Sequence, residues 1–163
     1  MKVIIHDLGE SYNSLFSEKC DEIIVADGKY APCQGCFDCW LKTPAKCKIK
    51  DSLYKICRTI GKSDELIIVT RSFYGSYSPT IKNVIDRSIA ISTTFSTYHK
   101  KQMHHVSRYG WHKLLKVIVY GSTTENEKNT YTLMAERNAI NHSFEKSEVV
   151  FVDSSDMLGG VEI

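Results

Sequence analysis

Five short apolar runs constrain what this chain can fold into: residues 3–5, 23–26, 66–70, 117–120 and 149–152. Each is rich in β-branched residues and continuous rather than alternating, as strands covered on both faces are. Helical patterns separate most of them. Asp51 precedes Leu53, Ile56, Cys57 and Ile60, an i, i+3, i+4, i+7 stripe. Ser78 and Pro79 make a cap and first-turn pair, followed by Ile81, Val84, Ile85 and Ile89. Residues 125–141 form a third, weaker helix with Leu133, Met134 and Ile140 expected inward. Alternating strands and helices predict a parallel α/β sheet with right-handed crossovers. Five such strands suggest the order 2-1-3-4-5 of the flavodoxin-like three-layer fold. Residues 12–20 leave room for a shortened first helix only, and the Gly-rich stretch 154–163 is too short for a full closing helix.

One sheet face is therefore expected to be under-covered. A homodimer is the expected remedy; the alternative is that the tail folds back over the sheet. The aromatic stretch 93–112, with Phe95, Tyr98, Tyr109 and Trp111, is a candidate dimer contact or a lid. Its histidines His99, His104 and His105 do not share a helix face, which argues against a metal site there.

The length of 163 residues fits a single domain spanning 1–163. A net charge of +2 points to neither nucleic acid nor a membrane surface. No apolar run approaches the length of a membrane-spanning helix. The opening Lys2-Val3-Ile4-Ile5 is too short and too soon polar for a signal peptide, so a cytoplasmic location is expected. In that reducing compartment clustered cysteines point to metal or redox chemistry rather than a disulfide framework.

Such a cluster is present. Cys33, Cys36, Cys39 and Cys47 stand at spacing C-x2-C-x2-C-x7-C, four of the six cysteines. Four thiols so close in sequence admit an iron–sulfur cluster, a zinc ion, a redox disulfide, or free thiols packing a turn. Cys20 and Cys57 read as core residues. In a parallel sheet ligands bind beyond the carboxyl ends of the strands. Three segments meet there: Gly9, Ser11, Asn13 and Ser14 after the first strand; Ser72, Phe73, Tyr74, Gly75, Ser76 and Ser78 after the third; Gly121 and Ser122 after the fourth. The cysteine segment follows the second strand and is expected beside them. No nucleotide-binding, metalloprotease or nucleophile-elbow motif occurs, and no side chain stands out as a catalytic acid or base.

The run Cys33-x-Gly35-Cys36-x-x-Cys39-Trp40, continued by Lys42-Thr43-Pro44-x-x-Cys47-x-Ile49-x-Asp51, resembles the flavodoxin-like NADPH-dependent FMN reductases and their iron–sulfur flavoprotein relatives. Ser72-x-Tyr74-x-x-Tyr77-Ser78, then Ile81-Lys82-Asn83-Val84-Ile85-Asp86-Arg87, is similar to the strand-3 loop and helix of the same group. The resemblance implies an enzyme that binds FMN and takes electrons from NAD(P)H for an acceptor the sequence does not identify. It also implies a [4Fe–4S] cluster on Cys33, Cys36, Cys39 and Cys47. Asp86 and Arg87 read as a structural pair. The first loop departs from the family's phosphate cradle: it carries Asp7 and Glu10 and lacks the family's arginine, so like charges would face a phosphate. That departure keeps a second reading open, a non-enzymatic electron carrier or thiol/metal-binding protein with a decayed flavin site.

Overall fold

The computed structural model describes residues 1–99 and 101–163; Lys100, inside the aromatic stretch, lies outside them. The chain runs β1 (Lys2–His6), α1 (Asn13–Phe16), β2 (Glu22–Val25), α2 (Asp38–Leu41), α3 (Ile56–Gly61), β3 (Glu65–Arg71), α4 (Pro79–Arg87), β4 (Ser92–His99), β5 (Gln102–Ser107), β6 (His112–Tyr120), α5 (Glu125–Asn141) and β7 (Phe144–Val152). Five strands form one parallel sheet in the order β2-β1-β3-β6-β7. Set aside β4 and β5, and this is the predicted order 2-1-3-4-5.

Successive residues of the central strands feed opposite cores, as the two-residue period of a strand requires. Val3, Ile5, Leu66, Ile68, Val117 and Val119 pack beneath the helices of one layer. Ile4, Ile67, Val69 and Ile118 pack on the other face against Phe16 and Leu158. That second layer is thin, as expected, because α1 is a single turn. The tail closes it. A 3-10 turn over Ser155–Gly160 buries Leu158 completely, and Val161 and Ile163 join the same cluster. The Lys2 ammonium donates to the Ile163 carbonyl at 3.1 Å. Each fully buried apolar side chain contributes about 1.5–3 kcal/mol, so the tail removes the bare face from which a dimer was argued.

Three local expectations change. Helix α3 starts at Ile56, after a turn in which the Asp51 carboxylate accepts the Leu53 N–H at 3.1 Å while also taking the Arg87 fork; its apolar stripe is buried. Helix α5 turns Tyr131, Ala135 and Ala139 inward, with Met134 packed partly buried against the same core as expected, while Leu133 is 61% exposed. Two alanines at i, i+4 let that helix approach the sheet closely. The aromatic stretch is an antiparallel hairpin, β4 paired with β5, with Thr97 opposite His104 and Tyr98 opposite Met103.

The hairpin springs from the amino edge of the sheet. The Arg108 N–H donates to the Ile91 carbonyl at 2.9 Å, and the His112 N–H to Ser143 at 2.8 Å. Its far end is tied to the last turns of α5, where Arg137 donates to Gln102 at 2.8 Å. It therefore does not cover the loops at the carboxyl edge, and the lid reading falls.

Candidate functional site

At the carboxyl edge the three anticipated loops come together. Asp7, next after β1, reaches across the sheet: its carboxylate accepts the Arg71 N–H at 3.0 Å and the Tyr120 hydroxyl at 2.9 Å. Burial, and then the Asp7 charge, push the Tyr120 hydroxyl well above its ordinary pKa. The Ser72 N–H donates to the Tyr120 carbonyl at 2.8 Å, and a Cβ on Gly121 would stand 3.9 Å from that of Ser72. Asp7 is thus the tie between the loops, a role that sequence reading missed because it weighed the residue only as a repulsive charge.

Within the first loop Gly9 turns the chain at φ +92°. Ser11 and Ser14 are exposed, and Asn13 is engaged. The Leu8 N–H donates to His6 Nδ1 at 3.3 Å, which leaves Nε2–H to donate to the Asn13 side-chain oxygen at 2.9 Å. His6 is fully buried, and burial lowers its pKa below the usual 6.5.

After β3, residues 73–76 form a tight turn. Tyr74 and Gly75 both have positive φ, +50° and +75°. Phe73 and Tyr74 stack edge to face at 5.0 Å, with Tyr74 86% exposed. Tyr131 of α5 holds the turn from below. Its hydroxyl donates to the Ser76 carbonyl and accepts the Phe73 N–H. A Cβ on Gly75 would lie 3.2 Å from Thr130 of the same helix, so this turn sits directly on α5. Ser78 belongs to the α4 cap, its N–H on the Thr70 hydroxyl at 2.9 Å. Ser122 is exposed just before Thr124, whose capping box with Glu127 opens α5. An exposed aromatic wall beside backbone amides is what a flavin ring needs, so the residues fit that end of FMN. At the phosphate end Ser11 and Ser14 are available, but Asp7 and Glu10 stand with them.

The cysteines lie elsewhere. Cys33, Cys36, Cys39 and Cys47 line one cavity of about 30 Å³ together with Phe37, Arg87 and Ile89. Arg87 ends α4, and Ile89 follows it. Since α4 runs from the carboxyl edge to the amino edge, this cavity stands at the far end of the helix from Ser78. The expectation of a cysteine segment beside the rim loops is therefore corrected: residues 26–31 carry the chain down alongside α4, with Tyr30 donating to the Thr80 carbonyl at 3.0 Å.

Burial raises the Cys39 thiol pKa, and the neighbouring Cys47, Cys36 and Cys33 raise it further. Among the described residues no three His, Cys, Asp or Glu side chains are grouped to hold a metal ion. A zinc ion would need four sulfurs at about 2.3 Å from one centre. A cluster would be held by the same four thiolates, and all four line this one cavity. Cys57 is core, as expected: its thiol, pushed up to about 12 by burial, donates to the Arg87 carbonyl at 3.3 Å. Cys20 is partly buried on the opposite face.

The anticipated Asp86–Arg87 pair does not form. Asp86 pairs with Lys82 one turn earlier, and Arg87 grips Asp51 with two 2.8 Å contacts. Both partners stood in the recognisable motifs, but nothing in their spacing links positions 51 and 87.

A five-stranded parallel sheet of this order, with its loops gathered at the carboxyl edge, defines a flavodoxin-like α/β protein. The family model for NADPH-dependent FMN reductase matches residues 16–113, more than half of the chain. The chain belongs to that family. It is 37% identical over 68 residues to an iron–sulfur flavoprotein of Archaeoglobus fulgidus, covering 41% of this chain and 32% of that protein. It is 29% identical over 93 residues to another from Methanocaldococcus jannaschii, covering 56% and 47%. The chain thus spans a third to a half of the length of these curated relatives. Among solved structures it resembles an FMN-dependent NADH-azoreductase from Bacillus anthracis in complex with FMN, at 12% identity and a TM-score of 0.58, covering 96% of this chain and 91% of that one. That likeness carries the fold.

Proposed function

We propose that this protein is an FMN-dependent NAD(P)H oxidoreductase with a second redox centre, an iron–sulfur cluster, on Cys33, Cys36, Cys39 and Cys47. The observation that carries the reading is the turn over residues 73–76, an exposed aromatic wall fixed by Tyr131 beside the loops at 9–14 and 121–122. When bound there, FMN supplies hydride acceptance from a nicotinamide and release of the electrons to an acceptor. The chain's own residues hold and shield the ring. Phe73 and Tyr74 offer the wall, Gly75 lets backbone amides approach, and Tyr131 keeps the turn from collapsing. Gly9, Ser11, Asn13 and Ser14 border the phosphate end; Ser72, Ser76, Ser78, Gly121 and Ser122 border the ribityl side. The compartment remains an expectation of the cytoplasm, and no helix among the described residues is long and apolar enough to cross a membrane. The exposed side chains Phe95, Tyr98 and Met103 on the hairpin support a homodimer.

The absorbance spectrum of anaerobically purified protein tests this reading. Flavin bands bleached by NADPH, with brown absorbance of a cluster, are expected. Asp7 and Glu10 favour the second reading, a carrier with a decayed flavin site. Colourless protein that ignores FMN and gains brown colour only on addition of iron and sulfide would establish it.

A further inference from the structure

Arg87 sits where the cysteine segment closes on itself. Its guanidinium donates to the Ala31 carbonyl at 2.7 Å and to the Ile49 carbonyl at 3.4 Å. Those residues stand just outside Cys33 and Cys47. The same fork is bidentate on Asp51, at 2.8 Å through each arm. One side chain thus pins both ends of the loop that carries the four thiols. Arg87 is only 2% exposed, so this fork operates away from water.

Four of the five guanidinium donors are thereby used. The fifth, Nε–H, is buried and has no partner. Burying such an orphan is costly, so a folded protein keeps one where something else satisfies it. Arg87 lines the cysteine cavity together with Cys47. A neutral thiol is a weak acceptor, whereas a thiolate or sulfide is a strong one.

We propose that Arg87 is the positioning residue of the cysteine centre: its fork holds the loop ends, and its free Nε–H donates to an anionic sulfur of the group bound there. This rests on the iron–sulfur reading above. A hydrogen bond to such a sulfur draws off negative charge and moves the reduction potential upward. Lys48 also lines the cavity, but it is exposed and offers charge without fixed direction.

The full chain is reconstituted anaerobically with ferrous iron and sulfide, as wild type, Arg87→Lys, Arg87→Met and Lys48→Met. Iron content, midpoint potential and the 15N–1H resonance of Arg87 Nε are measured. The expected result is a wild-type Nε–H resonance that shifts and exchanges more slowly on loading. Arg87→Met should lose part of its iron and show a more negative potential. Arg87→Lys should fall between, and Lys48→Met should match wild type. An unmoved Nε–H resonance in loaded wild type overturns the proposal, and so does Arg87→Met at wild-type potential. The resonance needs no variant, so a poorly folding Arg87→Met does not block the test. Wild type that takes up no iron overturns the iron–sulfur reading itself, and the proposed donor with it.

Discussion

Asp7 works for the fold and against a ligand at once. Its carboxylate joins the ends of β1, β3 and β6, yet it adds negative charge beside the rim. Glu10 adds the same charge and is exposed. Their substitutions should therefore differ. Glu10→Asn should tighten FMN binding several-fold, since removing a nearby like charge relieves on the order of 1 kcal/mol in a solvated site. Asp7→Ser should lower the unfolding free energy by about 1–3 kcal/mol, because it orphans the Arg71 N–H and the Tyr120 hydroxyl. FMN titration and denaturant melts of the two variants separate the effects. Asp51 offers a pH test. Hydrogen bonds from Arg87 hold its carboxyl below the usual 3.8. A depressed folded pKa means stability that is complete above 3.8 and lost as the pH falls through the folded value. Asp51→Asn should destabilise the protein by about 3 kcal/mol at pH 7, and that gap should narrow below pH 3.8, as melts across pH would record.

At the scale of elements, Tyr131 deserves a direct trial. Tyr131→Phe keeps the ring in the core and removes only the hydroxyl that bridges Phe73 and Ser76. Isothermal titration should show FMN affinity about tenfold weaker, equivalent to 1.4 kcal/mol, with α5 still folded by circular dichroism. The strands and α4 were legible because continuous apolar runs and a Ser-Pro cap leave few readings. Helix α5 was legible in extent but not in facing: its inward stripe is Tyr131, Ala135 and Ala139, and alanine carries little hydrophobic signal. The hairpin β4–β5 was hidden for a different reason. Most of its side chains are exposed, so no buried face imposes the alternation that marks a strand. The candidate site divides the same way. Loops at strand ends follow from topology, whereas the Arg87 grip on Asp51 joins positions 36 residues apart in sequence and needed the fold to reveal it.

For the whole molecule, the parallel order followed from counting strands, but the closure of the second face did not. Leu158 and Val161 do there what a longer helix would do, and a Gly-rich sequence gives such a tail no periodic pattern. The proposed dimer must then rest on the hairpin, whose exposed Phe95, Tyr98 and Met103 would stay wet in a monomer. Sedimentation at micromolar concentration should report a dimer, and Phe95→Ser with Tyr98→Ser should shift it to monomer without lowering the melting temperature. Wild type sedimenting as a monomer would remove the assembly from the proposal.

Helix α4 starts at the rim turn and ends at the cysteine cavity. Its nine residues span about 13 Å at 1.5 Å each. It acts as a ruler between the two sites, graduated in whole residues. One residue inserted at an exposed mid-helix position such as Lys82 would swing Arg87 by about 100° and take its fork off Asp51. Loops on either side can lengthen freely, but the spacing between the two sites cannot drift by small steps.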